Sequence, residues 1–293
     1  MFGKKQVLYF LFFCSLTIGN AQKGVLFFQT DWGFEGEKIA FIEKAKAFGY
    51  DGIEVWAPRD PSQQKEISAA LKKYNMKVIF LCGSNPNLPY EESLREYISY
   101  LKNTFKLNPL AVNSHTGSDF YSYEQNRAFI EQARKLSNDY GIPIYHETHR
   151  GRFSYSMPET IKYLEKNDAL NLTLDISHWM VVHESLLDNR ADLLDKVIHK
   201  SRHIHARVGF EEGPQVNDPT APEWEIALKR HLAIWEAVIQ KNWEEKKTIT
   251  ITTEFGPPNY MPTEPITRRP LSSQWEANVF IMKTLKDKIK NMR

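Results

Sequence analysis

Four short runs decide the fold of this chain: YHETH (145–149), LTLD (172–175), HIHAR (203–207) and ITTEF (251–255). Each run is apolar or β-branched before a Glu, Asp or His, and each opens into a loop after it. A strand that is buried along its length and ends on such a residue directs that side chain into a site. Because the carboxyl ends of the strands of a parallel barrel meet at one rim, the four runs predict one shared site there.

Around these runs the sequence alternates between strand and helix patterns. Apolar or β-branched runs predict eight strands, at 24–30, 53–56, 77–82, 110–114, 143–148, 170–175, 203–208 and 248–255. Helical spacing of apolar residues predicts eight helices, at 37–48, 62–74, 90–105, 123–140, 157–166, 188–200, 222–242 and 273–289. Eight strand–helix pairs indicate a single-domain (β/α)8 TIM barrel over residues 22–293. An open doubly wound sheet is the competing architecture, but no Gly-rich phosphate loop follows the first strand.

The first 21 residues are expected to be a secretory signal peptide and not part of the fold. Two lysines precede an apolar run at 7–18, and small residues at 19–21 suit cleavage after Ala21. A transmembrane anchor is the rival interpretation, but the run is short for the roughly 20 residues a bilayer needs. Cys14 leaves a lipoprotein as a further alternative. We therefore expect a periplasmic or secreted protein without a membrane anchor after cleavage.

Charge and cysteine content narrow the classes of partner. Removing residues 1–21 takes away two lysines and no acidic residue, so the formal net charge falls from +2 to 0. A neutral chain has no global electrostatic attraction to nucleic acid, and no such partner is expected. Cys82 is then the only cysteine, which excludes an intrachain disulfide. The sequence does not determine whether the chain forms a homo-oligomer.

Two long, Pro-rich connections leave the rim at which the predicted site lies, at 209–223 and 256–271. Long loops at this end of a barrel are typical of lids and substrate walls, although a solvated surface loop is the alternative. From the second connection Tyr260, Arg268 and Arg269 could reach a ligand.

Strand alternation places Glu147 and His149 on one side, and it does the same for His203, His205 and Arg207. Three carboxylates and one imidazole at the strand ends would give a divalent cation an oxygen-rich shell with one nitrogen. Such a shell suits Mn²⁺, Mg²⁺ or Co²⁺ and does not exclude Zn²⁺. Each residue alone has an ordinary structural interpretation, such as an ion pair or a packed histidine; their joint appearance on four successive strands favours a metal site.

The chain resembles the xylose-isomerase-like superfamily of TIM barrels, which holds sugar isomerases, ketose 3-epimerases and type IV apurinic endonucleases. The resemblance covers nearly the whole chain after residue 21. The motifs that carry it are DGIE (51–54), ETH (147–149), DISH (175–178), RHIH (202–205) and TEF (253–255). In this order the motifs are specific for the fold and for a metal site, but they carry little information about the substrate.

The epimerase branch of that superfamily holds one metal ion through Glu, Asp, His and Glu from strands five to eight. The resemblance implies that the metal ligands here are Glu147, Asp175, His205 and Glu254. It also implies that Glu147 and Glu254 are the catalytic acid and base, acting on a carbon next to a carbonyl. The metal would polarise that carbonyl and stabilise the enediolate that forms.

Six further residues are expected to contact the substrate, namely His178, Arg207, His149, His115, Glu54 and Trp56. His178 follows Asp175 by three residues, and Arg207 shares the face of His205. The alternative for His149 is that it supports a metal ligand. The alternative for His115 is that it caps a helix or packs in the interior. A carboxylate beside an indole suits a sugar, because the apolar ring face stacks while the hydroxyls form hydrogen bonds; a buried tryptophan near an ion pair is the alternative. His203 lies deeper and is expected to be structural.

These features predict an exported, metal-dependent sugar isomerase or epimerase. The alternative is a keto-glycoside lyase or hydrolase, because abstraction of the same proton from an oxidised sugar can expel a β-placed group, and export suits that variant. A non-catalytic carbohydrate-binding barrel is less favoured, since binding alone needs no opposed acid and base. An apurinic endonuclease is disfavoured. That branch of the superfamily needs a three-metal cluster with additional histidines on strands two to four and an Asp-x-His pair after strand seven. Here residues 81–84 (LCGS) offer no histidine, and Asp218 is followed by Pro219 and Thr220.

Overall fold

Eight parallel strands pair in sequence order, and the last closes on the first. The computed structural model describes residues 24–292, and the predicted (β/α)8 TIM barrel is confirmed within them. The predicted signal peptide at 1–21 and its alternatives lie outside the described residues. Among residues 24–292, no helix combines the length and apolarity needed to cross a membrane.

The secondary structure follows the predicted order with one addition. The strands are β1 (Val25–Thr30), β2 (Gly52–Trp56), β3 (Lys77–Gly83), β4 (Ala111–His115), β5 (Ile144–Glu147), β6 (Leu172–Leu174), β7 (Ser201–Ala206) and β8 (Ile249–Thr253). The helices are α1 (Lys38–Ala47), α2 (Pro61–Tyr74), α3 (Tyr90–Phe105), α4 (Tyr123–Tyr140), α5 (Met157–Leu164), α6 (Ile176–Val182), α7 (Ala191–Ile198), α8 (Glu225–Glu244) and α9 (Gln274–Met292). A short 3-10 helix, Pro222–Trp224, precedes α8.

Helix α6 is the element that the sequence pattern did not predict. Its sequence, ISHWMVV, shows no amphipathic period, because residues 176–180 are all buried. The helix begins directly after β6, where the side chain of Asp175 accepts a hydrogen bond from the backbone N–H of Ser177. Such a cap satisfies one of the free N–H groups at a helix start. The helix carries His178 to the rim.

The barrel interior is apolar at one end and polar at the other. Phe28, Ile79 and Ala111 form a small buried cluster, and the partly buried Leu26 and Tyr145 pack against it. The much larger apolar cluster lies between the strands and the surrounding helices. Further along the strands the inward positions carry Glu, Asn, His, Thr and Asp, and their side chains are buried as well. The fold therefore concentrates polar groups inside the upper half of the barrel.

Replacing Gly52 by alanine is expected to lower the free energy of unfolding by about 1–3 kcal/mol, as overpacking does in filled cores. A Cβ at this position would lie 2.3 Å from Cε1 of Phe28 and 2.6 Å from the backbone oxygen of Lys77. Backbone cannot move aside cheaply in a closed barrel. Urea denaturation followed by circular dichroism measures the change.

The matched control is Ser68→Ala on the exposed side of α2, where the hydroxyl donates only to the carbonyl of Gln64. If Gly52→Ala proved as stable as that control, the barrel would not be filled at this end.

Candidate active site

Four buried side chains converge where β5 to β8 end. Glu147 is the last residue of β5, Asp175 and Glu254 directly follow β6 and β8, and His205 lies in β7. One ligand atom from each lies within 4.8 Å of the corresponding atoms of the other three. The structure therefore brings together all four predicted metal ligands.

The donor set of these four residues fits a divalent cation. Nδ1 of His205 lies 2.9 Å from Oε2 of Glu254 and 3.5 Å from Oε2 of Glu147. Both Nδ1 of His205 and Oε2 of Glu254 are buried, and neither has a hydrogen-bond partner among residues 24–292. Two buried ligand atoms that lie close together and form no hydrogen bond suit a shared cation once the imidazole has lost its proton. Three carboxylates and one imidazole favour Mn²⁺, Mg²⁺ or Co²⁺ and leave Zn²⁺ open.

The charge on His205 follows from its neighbours. Burial alone would lower the pKa of the imidazole, but the charges of Glu254, Glu54 and Glu147 outweigh burial and hold that pKa well above its usual value. A cation that binds at Nδ1 therefore has to displace a proton.

Arg207 lies among the predicted ligands and is only 1% exposed. Its Nη2 pairs closely with Oδ2 of Asp175, and its Nη1 lies 3.3 Å from Oε2 of Glu254. Burial raises the pKa of Asp175 to about 6, even though the guanidinium opposes this shift. Arg207 also borders the cavity described below, under the ring of Tyr260, whose centroid is 4.8 Å from Cζ. It can therefore balance two carboxylates and still face a ligand.

Glu54 lies beneath the four ligands, and both of its oxygens are engaged. Oε1 lies 3.0 Å from Nε2 of His205, and Oε2 lies 2.9 Å from Nε2 of His203 and accepts a close hydrogen bond from Thr252. Burial would raise the pKa of Glu54, but the attraction of His205 and His203 holds it below the usual range. A carboxylate that accepts Nε2–H leaves Nδ1 of His205 as the ligand atom. Although Glu54 borders the cavity as predicted, its contacts are those of a residue that orients His205.

His203, predicted to be structural, lies in a buried group with Glu54 and His205 whose ligand atoms are close enough to hold a metal ion. It lies fully buried below the ligands, and its Nδ1 donates to the carbonyl oxygen of Thr250 over 3.0 Å. Its Nε2 faces Glu54, so both ring nitrogens have partners inside the barrel.

Asn113 is a site residue that the sequence analysis missed. Its Nδ2 donates to Oε2 of Glu147 over 2.8 Å and to Oε1 of Glu54 over 2.9 Å. The amide therefore links the predicted ligands to the layer beneath them. The signal was available, because Asn113 precedes His115 by two residues on β4 and must face the same side.

Three imidazoles form a row beside Glu147. The ring centroids of His115 and His149 are 4.6 Å apart, and those of His149 and His178 are 4.0 Å apart. Nε2 of His115 lies 2.9 Å from Oε2 of Glu147. Burial is the main cause that holds the pKa of both His149 and His178 well below the usual value. These two imidazoles are neutral and suit hydrogen bonds with an uncharged ligand.

A cavity of about 230 Å³ lies above this arrangement, and we call it the inner cavity. It is bordered by all the predicted site residues except Asp175 and His205. Thr30, Asp31 and Trp32 from the end of β1 border it too, although the sequence analysis did not identify them.

Tyr260, in the loop after β8, reaches the inner cavity, whereas Arg268 and Arg269 of the same loop do not border it. Tyr260 also accepts a hydrogen bond from Arg150 over 2.9 Å. Arg268 bonds instead to Asn259, and Arg269 pairs with Glu264 in an exposed turn. The loop after β8 therefore contributes an aromatic wall, and its arginines face away.

Cation affinity is expected to increase with pH, because the cation competes with the proton on His205. Below the raised pKa of His205, binding releases one proton and the affinity rises about tenfold per pH unit. Below a pH of about 6, Asp175 is protonated as well, so the dependence becomes steeper. Calorimetric titration with MnCl₂ over pH values of about 5 to 8, in buffers of different ionisation enthalpy, counts the protons released. An affinity that does not change with pH would remove His205 from the ligand set.

The Glu54→Gln variant is expected to bind Mn²⁺ about 10–100-fold more weakly, the usual effect of losing the group that orients a ligating histidine. The neutral amide attracts Nε2–H less and no longer enforces the Nδ1 orientation. Glu66→Gln, an exposed carboxylate on α2 without a partner among residues 24–292, is the matched control and should bind as the parent does. Equal affinities for both variants, with unchanged circular dichroism, would contradict the role of Glu54.

Comparison with solved structures shows the same barrel in several proteins. D-Allulose 3-epimerase from Methylomonas sp., solved with D-allulose, has 17% identity and a TM-score of 0.60; the match covers 90% of this chain and 97% of that one. 3-Keto-D-glucoside 4-epimerase from E. coli has 12% identity and a TM-score of 0.59, over 90% of this chain and 99% of that one. A xylose isomerase-like TIM barrel protein from Mycobacterium smegmatis, solved with magnesium, has 11% identity and a TM-score of 0.55, over 85% and 88%. At these identities the likeness shows the fold.

The sequence itself identifies the family. No curated protein sequence matches the chain significantly. The family model described as "Xylose isomerase-like TIM barrel" matches residues 42–240, which is more than half of the chain and spans β2 to the greater part of α8. The chain therefore belongs to the xylose isomerase-like TIM barrel family, as its motifs indicated.

Proposed function

We propose that this protein is an exported, metal-dependent sugar isomerase or epimerase that abstracts a proton next to a carbonyl. The observation that carries the proposal is the position of Glu147 and Glu254. Both carboxylates border the inner cavity and both lie within 3.5 Å of Nδ1 of the predicted metal ligand His205. A pair of carboxylates beside a cation is what enolisation of a carbonyl compound requires. Export is supported by the sequence of residues 1–21 alone.

The size and lining of the inner cavity support a sugar as ligand. Its volume of about 230 Å³ is below the range of about 300–1,000 Å³ for pockets that hold drug-sized molecules, and it suits a single sugar ring. Neutral imidazoles offer hydrogen bonds to hydroxyl groups, and the indole of Trp56 offers a stacking surface. D-Allulose 3-epimerase and 3-keto-D-glucoside 4-epimerase, both epimerases of sugars by name, share this fold.

In this mechanism, Glu147, Asp175, His205 and Glu254 would hold the cation, which would supply an electrophile for the substrate carbonyl. Burial would raise the pKa of Glu147, but the charges of His115 and His205 outweigh it and keep that carboxyl ionised. One of the two glutamates takes the proton from the substrate carbon, and the other returns a proton. The hydrogen bonds of Glu147 to Asn113 and His115 fix the position of its Oε2.

Arg207 and the barrel walls complete the reaction chamber. The guanidinium of Arg207 borders the inner cavity and can attract the oxygen on which negative charge develops. Glu147, His178 and Arg207 are each 1% exposed, so bulk water is largely excluded from the reacting groups. That exclusion protects an enediolate from unwanted protonation.

A second candidate function is elimination from, or hydrolysis of, a keto-glycoside. The specific observation in its favour is a larger cleft that adjoins the inner cavity at Trp56. Proton abstraction beside a ketone expels a group at the β position when that group is a good leaving group. The two candidates share all the residues named above and differ in which carbon lies beside the glutamates.

The Glu254→Gln variant is expected to lose turnover by about 10²–10⁴-fold while the fold is retained, because an amide cannot transfer the proton. The measurement is exchange of substrate C–H for deuterium in D₂O, by NMR, with the Mn²⁺-loaded protein and a panel of aldoses, ketoses and keto-glycosides. Glu212→Gln in the loop after β7, an exposed residue, is the matched control. Retained exchange in Glu254→Gln would remove Glu254 from the mechanism, and absence of exchange in the parent across the panel would point to a binding protein.

A further inference from the structure

A second, larger cavity of about 830 Å³ lies beside the inner cavity, and we call it the outer cleft. It follows the carboxyl ends of β1, β2 and β3, whereas the predicted metal ligands lie at the ends of β5 to β8. Its volume falls within the range of about 300–1,000 Å³ that is typical of ligand pockets. The proton-transfer mechanism uses none of this space.

Trp56 and Asp31 border both cavities, so the two spaces adjoin at these residues. The indole of Trp56 is held on one side: it contacts the ring of His115 edge-on, with centroids 5.4 Å apart. It also lies over Gly83, where a Cβ would come 3.4 Å from Cη2 of the indole. Even so, Trp56 is 51% exposed. A large aromatic ring that is fixed by the barrel and half open to a cleft is a stacking platform.

The charges in the outer cleft largely compensate one another. Arg59 pairs with Glu96 over 2.7 Å, and Lys38 pairs closely with Asp31. Counting all the lining residues, four carboxylates face three cationic side chains. The cleft therefore has no excess of positive charge to attract an anionic ligand.

Three polar side chains of the outer cleft have no hydrogen-bond or ion-pair partner among the described residues. Glu37, Gln63 and Glu66 line it, and none of them has a side-chain hydrogen bond or ion pair within the described range 24–292. Uncommitted amide and carboxylate groups beside an aromatic platform are what hydroxyl-rich, uncharged ligands need.

The wall of the outer cleft is preformed. Arg152, which also lines it, donates from Nη1 to the carbonyl oxygens of Ser84 over 3.1 Å and Gly117 over 3.4 Å. These contacts tie together the loops after β3, β4 and β5. Binding there would not have to order the loops first.

We infer that the outer cleft is a subsite for a second sugar unit, so that the substrate is a glycoside and not a free monosaccharide. The reacting ring occupies the inner cavity, and the unit to which it is linked lies across Trp56 in the outer cleft. This inference rests on the proposed function for the identity of the inner ligand. It adds that Trp56 determines the preference for linked sugars.

The test compares disaccharides with monosaccharides on the parent protein and on Trp56→Ala, both loaded with Mn²⁺. The probes are cellobiose, maltose, trehalose and sucrose and their C3-oxidised forms, against glucose, fructose and 3-ketoglucose. Calorimetry measures binding independently of turnover. At least one disaccharide should bind the parent about tenfold more tightly than any monosaccharide. Because Trp56 borders both cavities, Trp56→Ala can weaken both kinds of probe, but it should weaken disaccharide binding more and remove about that tenfold preference.

Phe120→Ala, in the exposed loop before α4, is the matched aromatic control and should leave both kinds of probe unaffected. Equal binding of disaccharides and monosaccharides by the parent, no binding of any disaccharide, or an equal loss for both kinds of probe in Trp56→Ala would each overturn the subsite. Disaccharide binding that depends on Trp56 without C–H exchange would reject the proposed function and keep the subsite. C–H exchange on monosaccharides without a preference for disaccharides would reject the subsite and keep the proposed function.

Discussion

Four carboxylates lie buried in the upper half of the barrel, those of Glu54, Glu147, Asp175 and Glu254. An ionised carboxylate in such surroundings costs several kcal/mol unless positive charge and hydrogen-bond donors compensate it. His205 contacts three of the four, and Arg207 pairs with Asp175 and Glu254. The amide of Asn113 adds donors to Glu54 and Glu147. This balance of charge holds the site together, since removing any positive partner would leave a buried anion exposed to its like-charged neighbours.

The same balance explains why the site has two levels. Glu54 and His203 form a closed lower level in which the polar atoms engage one another. In the upper level, Nδ1 of His205 and Oε2 of Glu254 form no hydrogen bond with the described residues, although they lie 2.9 Å from one another and Oε2 lies 3.3 Å from Nη1 of Arg207. A satisfied lower level makes the ring of His205 rigid, and a rigid ring presents Nδ1 in one direction. The rigid lower level and the ligand atoms above it act together, because metal ligands that are already held in place lose little conformational freedom when a cation binds.

Much of the fold and most of the candidate site could be predicted from the sequence, because both are encoded locally. A short apolar or β-branched run followed by a loop marks each strand, and every predicted strand is present with ends shifted by at most two residues. The failures are nonlocal. Helix α6 has no amphipathic period because it is buried on several sides, and Asn113 acquires its role from partners on β2 and β5. The pairing of Arg207 with Asp175 and the outer cleft depend on how loops from different strands meet, which spacing along the chain does not record.

Asp175 joins two tasks in one side chain. Its Oδ1 caps helix α6 through Ser177, while its Oδ2 faces Arg207 and the other predicted ligands. Anyone who re-engineers this barrel for a softer metal by substituting cysteine or histidine at position 175 would also loosen the helix that carries His178. Substitutions at Glu147 or Glu254 entail no such secondary damage to a helix start. The evolvability of the site is therefore uneven: substitutions at the ends of the fifth and eighth strands spare the helix start but remove the proposed proton-transfer groups, whereas those at the end of the sixth do the opposite.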